Sequence, residues 1–334
     1  MHVLITGAAG FIGSQLAAHF CSQGTAVTGI DNINDYYDPK LKEARLERLS
    51  RHSEFRFVKL DFSDSDALSG LFRAHAFTHV VHLGAQAGVR YSLINPGSYI
   101  QSNLVGFANI LECCRHNPVE HLVYASSSSV YGLNSTIPYS TEHPTNHPVS
   151  LYAATKVSNE KMAHAYSHLY GIATTGLRYF TVYGPWGRPD MAPFIFTKAI
   201  LAGEPIPVFN NGHMLRDFTF IDDIVESTAR ITVIPARADT AWDAAAPSPA
   251  SSSAPFALYN IGNSSPVPLM DFIHELETRL GVPANIKYLP MQPGDVTATY
   301  ADCQPLAIAT GFTPSTPLSE GIARFAEWYR TYYG

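Results

Sequence analysis

Tyr152 and Lys156 lie four residues apart in a stretch, Leu151 to Tyr170, whose pattern predicts a helix. That spacing puts both side chains on one helical face. A phenol loses its proton near pH 10 in water, and a neighbouring ammonium lowers that value by favouring the phenolate. The pair therefore has the make-up of a general base at neutral pH. Upstream runs Ala125-Ser126-Ser127-Ser128-Ser129-Val130-Tyr131-Gly132, directly after an apolar strand-like run. In open parallel sheets ligands sit outside the carboxyl ends of strands. A hydroxyl from Ser126 to Ser129 is thus placed to hydrogen-bond the oxygen that Tyr152 deprotonates.

A second constellation opens the chain. Val3-Leu4-Ile5 reads as a short buried strand, and Thr6-Gly7-Ala8-Ala9-Gly10-Phe11-Ile12-Gly13 leads straight into a helix-like segment, Ser14 to Ser22. A strand, a glycine turn and a helix N-terminus make an anion site from free N–H groups and the positive end of the dipole. Gly7 permits the turn, Gly10 allows close approach of a pyrophosphate, and Gly13 allows the helix to pack on the strand. The next apolar run, Ala26 to Ile30, ends at Asp31. A carboxylate there accepts from adenosine ribose hydroxyls and repels a 2′-phosphate, so the expected cofactor is NAD and not NADP. An oxidised nicotinamide ring adds a second cation favouring the Tyr152 phenolate.

The elements needed to position these residues follow in order. Asp38–Ser50, Ser65–His75, about Pro96–His116 and Leu151–Tyr170 have helical periodicity. Phe55–Leu60, Thr78–Leu83, His121–Ala125 and Ala173–Phe180 read as buried strands. This alternation predicts an α/β protein with a doubly wound parallel sheet, Rossmann-type, over residues 1–182, with some later segments returning to it. Residues 183–334 are expected to form mainly a smaller α/β substrate-binding lobe. There Pro193–Ala202, Asp217–Phe220 and Asp222–Ile234 read as shorter elements, and order resumes with Ala257–Ile261, the helix Leu269–Leu280, the strand Asn285–Leu289 and a terminal helix Ser319–Tyr332. Residues 236–255 are nearly all Ala, Pro, Ser and Asp around Trp242 and predict a flexible surface insertion.

Composition narrows the class. Of 334 residues, 46% are hydrophobic and 15% charged, enough for a sizeable core. A formal net charge of -6 argues against a nucleic-acid partner. No apolar stretch reaches the ~18 residues of a membrane span, and the N-terminus begins at once with a strand. Cys21, Cys113, Cys114 and Cys303 show no metal-ligand spacing and read as core thiols, so a cytoplasmic protein is expected. On a single expected element only His164 and His168 form an i, i+4 histidine pair, which is ordinary helix surface, and no metal is expected.

Taken together, the glycine loop, Asp31, the serine run and Tyr152 with Lys156 resemble the extended short-chain dehydrogenases/reductases over nearly the whole chain. The resemblance implies that Tyr152 and Lys156 are the catalytic pair. It places the catalytic serine at Ser127, with Ser126 and Ser128 as near alternatives. It also implies an NAD groove built from Gly7, Gly10, Phe11, Ile12, Gly13, Asp31, Asn32, Asp61, Phe62, Leu83, Ala85, Ala87, Asn103, Tyr152, Lys156 and Tyr179. The C-terminal half resembles the nucleotide-sugar epimerases and dehydratases through Phe209-Asn210-Asn211-Gly212, Arg216-Asp217-Phe218, Tyr259-Asn260-Ile261-Gly262 and Pro293-Gly294-Asp295-Val296. Phe209 would pack on a uracil ring, Arg216 would neutralise a diphosphate, and Asp295 would accept from the nucleoside ribose.

Two features bear on the sugar. The Thr-Asp-Glu of sugar-nucleotide 4,6-dehydratases is replaced by serines, leaving no acid–base pair for water elimination. Gln86 to Ser92 and Tyr183 to Ala192 resemble the UDP-glucuronate 4-epimerases, and Thr181 stands where UDP-galactose 4-epimerases usually carry Asn. A UDP-sugar carrying a carboxylate at C5 is therefore the expected substrate. Ser127, Ser128 and Thr181 would offer hydroxyls, and Arg188, or failing it Arg90, would hold the carboxylate. The alternatives are a UDP-glucose/galactose 4-epimerase, a UDP-glucuronate decarboxylase, and a non-catalytic NAD-binding sensor. A homodimer paired through 96–116 and 151–170 is the expected assembly.

Overall fold

The computed structural model describes residues 1–291 and 297–334. Its first part alternates strand and helix: β1 (His2–Thr6), α1 (Phe11–Ser22), β2 (Ala26–Asp31), α2 (Pro39–Leu49), β3 (Phe55–Lys59), α3 (Ser65–Ala74) and β4 (His79–His82). A helical run follows, made of α4 (Pro96–Tyr99), a π-helical segment (Ile100–Val105) and α5 (Gly106–His116). Then come β5 (His121–Ser127), α6 (Leu151–Tyr170) and β6 (Thr174–Tyr179). Among the described residues these strands build one parallel seven-stranded sheet. Its order is β3-β2-β1-β4-β5-β6, closed at the far edge by β10 (Phe256–Ile261), which the chain supplies much later.

Strand alternation divides the core. Leu4, Val80, Leu122 and Tyr124 point to one face, against Leu68 and Leu71 of α3, Phe107 of α5 and Ala163 of α6. Val3, Ile5, Val81 and Val123 point to the other, against Leu16 and Phe20 of α1 and Ile224 of α8 (Ile221–Thr232). Period-2 side-chain direction in strands buried on both faces produces this division. The chain runs β1, β2, β3 to one side and then returns to place β4 on the other side of β1. The strand order therefore reverses between β1 and β4, the position where doubly wound sheets bind ligands. The two strand ends are tied there: Gly84 N donates to Thr6 Oγ1 at 2.9 Å, and Thr6 Oγ1 meets His82 Nδ1 at 2.8 Å.

The second lobe has smaller sheets. β7 (Thr181–Tyr183) continues from β6 and pairs in parallel with β9 (Leu215–Phe220). β9 also pairs with β11 (Pro266–Pro268) and β13 (Ala298–Thr299), while β8 (Pro205–Val208) pairs with β12 (Asn285–Tyr288). Helices α7 (Ala192–Ala202), α9 (Leu269–Leu280), α10 (Gln304–Thr310) and α11 (Leu318–Tyr333) complete it. Within residues 236–255 no helix or strand forms, but the loop carries its own bonds. Asp239 N donates to Ser252 O at 2.8 Å, and the Ser252 hydroxyl meets His164 Nε2 of α6 at 2.9 Å.

Candidate active site

A cleft of about 390 Å³ opens at the carboxyl ends of β1, β4 and β5. Its floor is the first turn. Gly7 adopts φ +70°, and a Cβ on Gly13 would lie 2.2 Å from the Gly7 carbonyl oxygen. Only glycine allows this turn to press onto the start of α1. The N-cap residue Gly10 supplies no capping side chain, so the first N–H groups of α1 are left for an outside acceptor. Gly7, Gly10, Phe11, Ile12, Gly13, Asp31 and Asn32 all line the cleft. Asp31 is held by backbone: Oδ1 accepts from Ile33 N at 2.8 Å and Oδ2 from Ala9 N at 3.3 Å. An uncapped helix start beside a carboxylate at the end of β2 is a donor set that fits a dinucleotide.

Further along, Phe62, Leu83, Ala85, Ala87 and Tyr179 line the same cleft. Asp61 and Asn103, both expected in the cofactor groove, are not among the residues that line the cleft. Asp61 accepts from Asn32 Nδ2 at 2.8 Å. Burial would raise its carboxyl, but the bonds from Asn32 and Ser63 hold it below the ordinary value. Asn103 is buried in the π-helical segment, and the single helix expected over 96–116 is interrupted there. Its side chain accepts from Gln86 N at 2.9 Å and donates to Gln86 O and Thr155 Oγ1, each at 3.0 Å. Its carbonyl accepts from Asn159 Nδ2 at 2.6 Å. Asn103 therefore fastens the loop after β4 to α6.

Tyr152 and Lys156 enter from α6, whose start is fixed by the Ser150 side chain accepting from Ala153 N. Both line the cleft with Ser127 and Ser128. Burial raises the Tyr152 phenol above its ordinary value, and the Ser127 hydroxyl and the Arg188 charge offset part of that rise. The Lys156 ammonium donates to Ala125 O at 2.8 Å, bridging α6 to the end of β5, and burial lowers its own pKa to about 8.

The serines divide their tasks. Ser126 donates to Glu160 Oε1 at 2.6 Å, and Glu160 pairs with Arg178 at 2.9 Å through both oxygens; acid and base are fully buried. Ser126 is thus committed to a core network. Ser127 Oγ is 3.2 Å from Ser129 Oγ and accepts from Ser129 N, leaving it at the cleft surface beside Tyr152. Glu160, one helical turn beyond Lys156, carried no obvious signal because its partner Arg178 is on another strand.

On the substrate side, Thr181 and Arg188 line the cleft. Arg188 pairs with Asp190, Nε to Oδ1 at 3.0 Å and Nη2 to Oδ2 at 2.5 Å. Burial alone would raise the Asp190 carboxyl, but Arg188 and Tyr36 hold it below its ordinary value. Arg90 lies 5.7 Å from the Phe209 ring centroid, and Arg216 Nη1 donates to Leu215 O at 2.9 Å. None of these three lines the described cleft, and Asp295 lies outside the described residues. Lys42, Tyr36 and Tyr37, which stand in no recognisable sequence motif, also line it. Lys42, on the charged helix α2, donates to Asn34 O at 2.8 Å, and burial lowers its pKa despite nearby Asp31.

The chain is 54% identical to protein CapI of Staphylococcus aureus over 333 residues, covering 100% of this chain and 99% of that protein. It is 48% identical to UDP-glucuronate 4-epimerase 4 of Arabidopsis thaliana over 341 residues, 99% of this chain and 76% of the plant protein. The crystal structure of the Bacillus cereus UDP-glucuronic acid 4-epimerase, in complex with UDP-glucuronic acid and NAD, superposes with a TM-score of 0.87 at 32% identity, covering 100% of both chains. With residues 3–240 matching the family model as well, this chain belongs to the NAD-dependent epimerase/dehydratase family.

Proposed function

We propose that the protein is a UDP-glucuronate 4-epimerase, interconverting UDP-glucuronic acid and UDP-galacturonic acid. The observation that carries this reading is the convergence of Tyr152, Ser127 and Arg188 on one cleft, a proton acceptor and a cation for a sugar acid side by side. The 48% identity to plant UDP-glucuronate 4-epimerases supports it.

Gly10 to Gly13 and Asp31 would hold NAD, which when bound supplies a hydride acceptor that is regenerated in each turnover. Tyr152 takes the proton from the C4 hydroxyl, and Ser127 holds that oxygen by a hydrogen bond. The keto sugar then turns about its diphosphate link and presents its opposite face, so that C4 would regain the hydride with inverted configuration while Tyr152 returns the proton to the C4 oxygen. Lys156, held on Ala125 O, keeps α6 against β5 so that Tyr152 and Ser127 stay together. Arg188 binds the C5 carboxylate. The C4 ketone makes the sugar a β-keto acid, and a fixed ion pair keeps the carboxylate bond out of line with the carbonyl π system.

The test is product analysis by proton NMR after incubation with UDP-glucuronic acid, with and without added NAD. UDP-galacturonic acid without net NADH is the expected result. UDP-xylose or a 4-keto pentose would establish a decarboxylase instead; conversion of UDP-glucose alone would establish a neutral-sugar epimerase; NAD binding without turnover would establish a sensor. The four buried thiols suit a reducing cytoplasm, and no helix among the described residues is long and apolar enough to cross a membrane. Helices α5 and α6, with Val105 and Leu169 exposed beside them, are the surface on which a homodimer would form, and sedimentation at micromolar concentration tests it.

A further inference from the structure

Arg188 is held in a frame. Its Nε and Nη2 are both engaged by Asp190, while Nη1 has no protein partner among the described residues. A planar fork gripped along one edge keeps its remaining N–H groups in a fixed plane for a second carboxylate. Asp190 in turn accepts from Tyr36 Oη at 3.0 Å. Tyr36 belongs to the loop that follows Asp31, packs on Tyr91 at 4.8 Å, and lies so close to Gly88 that a Cβ there would be 2.7 Å from its oxygen.

A second tie joins the same two segments. Tyr37, next in the loop, accepts from Nη1 of the fully buried Arg45 at 2.7 Å. Arg45 also donates to Ala9 O of the glycine turn at 3.0 Å, to Trp186 O at 2.6 Å and to Gly187 O at 3.1 Å. Among the described residues no carboxylate pairs with it. Its donors go to carbonyls of two segments far apart in sequence, so its place in the fold is that of a clamp. Trp186 sits in the left-handed region at φ +66°, a conformation held only where surroundings determine it. The segment 184–190 that carries Arg188 is thus fastened twice to the loop 32–38.

We propose that Asp190 and Tyr36 are positioning residues that aim the Arg188 guanidinium, and so decide whether the keto acid keeps its carboxyl group. The assignment rests on the reading of the substrate as a hexuronic acid. In the competing reaction the C5–C6 bond of the 4-keto sugar breaks and CO2 leaves. The bonding pair enters an enolate, C5 takes a proton, and one reduced cofactor remains for each ketopentose released. The loss requires the C5–C6 bond to align with the carbonyl π system. A guanidinium held in one plane keeps that bond near the plane of the carbonyl; one free to swing does not.

The experiment compares the full chain loaded with NAD as wild type, Tyr36→Phe, Asp190→Asn, Arg188→Ala and the double variant Arg188→Ala/Asp190→Asn. Products from UDP-glucuronic acid are counted by proton NMR, residual NADH by absorbance, and folding by thermal midpoint. The expected result is a rise of roughly tenfold in the ketopentose-to-hexuronate ratio for Tyr36→Phe and Asp190→Asn, on the scale of one charge-assisted hydrogen bond, with matching residual NADH. In the Arg188→Ala background Asp190→Asn should add nothing, because it acts through that arginine. An unchanged ratio in the folded Tyr36→Phe and Asp190→Asn variants overturns the assignment, as does a full further shift in the double variant. Absence of C4 epimer from the wild type overturns the substrate reading first, and this assignment with it.

Discussion

At the scale of single residues, the decisive group is the Tyr152 hydroxyl. Its burial works against ionisation, and the Ser127 hydroxyl and the Arg188 charge act the other way. Removing the oxygen removes proton transfer while leaving the ring that packs on Tyr99 at 6.1 Å. Tyr152→Phe should therefore lower kcat by about 10²–10⁴-fold, the usual worth of a positioned acid–base group. NAD binding should persist, as checked by fluorescence titration beside the product assay. Tyr152, Lys156 and Asp31 were legible because the chemistry of each needs only its own segment: a helical four-residue spacing, or a carboxylate at a strand end. Tyr36, Asp190 and Lys42 were not, since their partners lie 154, 2 and 8 residues away and none of these bonds follows from a local period. Asn103 carries no local sign of the brace it forms, because its partners Gln86, Thr155 and Asn159 lie 17, 52 and 56 residues away.

At the scale of elements, α6 is the positioning device, and it is anchored from beneath. Glu160 on α6 and Arg178 on β6 form a fully buried, two-pronged ion pair to which Ser126 of β5 and Tyr131 are also bonded. One helix and two strands meet in that network directly behind the serine run. Glu160→Ala would leave the guanidinium buried without its counter-charge, so the expected cost is about 3–5 kcal/mol of folding stability. Urea denaturation reads it, and a loss under ~1 kcal/mol would show that the network is not what holds α6. The strands and helices up to β6 were legible because parallel strands buried on both faces give unbroken apolar runs and the helices between them keep a 3.6-residue period. β7, β8, β11 and β13 have two to four residues, several of them proline, too short to show any period. The π-helical segment at 100–105 was invisible for a related reason: one added residue in a turn leaves composition unchanged and is dictated by the bonds Asn103 makes.

At the scale of the whole molecule, the chain crosses between its two lobes more than once. β6 runs through Phe180 into β7, and β10 brings residues 256–261 back to the first sheet after the second lobe has begun. Neither lobe can lose its sheet without exposing the other's core, and both should unfold in one transition. That transition should be sensitive to acid for a definable reason. His82, between Thr6, Phe62 and Phe107, and His121, bonded to Thr175 and Thr232, are buried, and burial pushes their pKa values down to about 3 and about 4. In the unfolded chain each titrates near 6.5, so between that value and the folded ones the unfolded state binds more protons. Stability then falls as pH falls through this window, by about 1.4 kcal/mol per unit for each histidine, or about 2 kcal/mol each at pH 5. Asp61 and Asp190, both held below the ordinary carboxylate range, add losses of the same sign further down. Calorimetry from pH 7 to pH 4.5 should show a steadily falling midpoint with one cooperative peak and an uptake of nearly two protons on unfolding near pH 5. A midpoint flat down to pH 5 would mean that these two rings already carry their charge in the folded protein, and that the core around them is wetter than its packing shows.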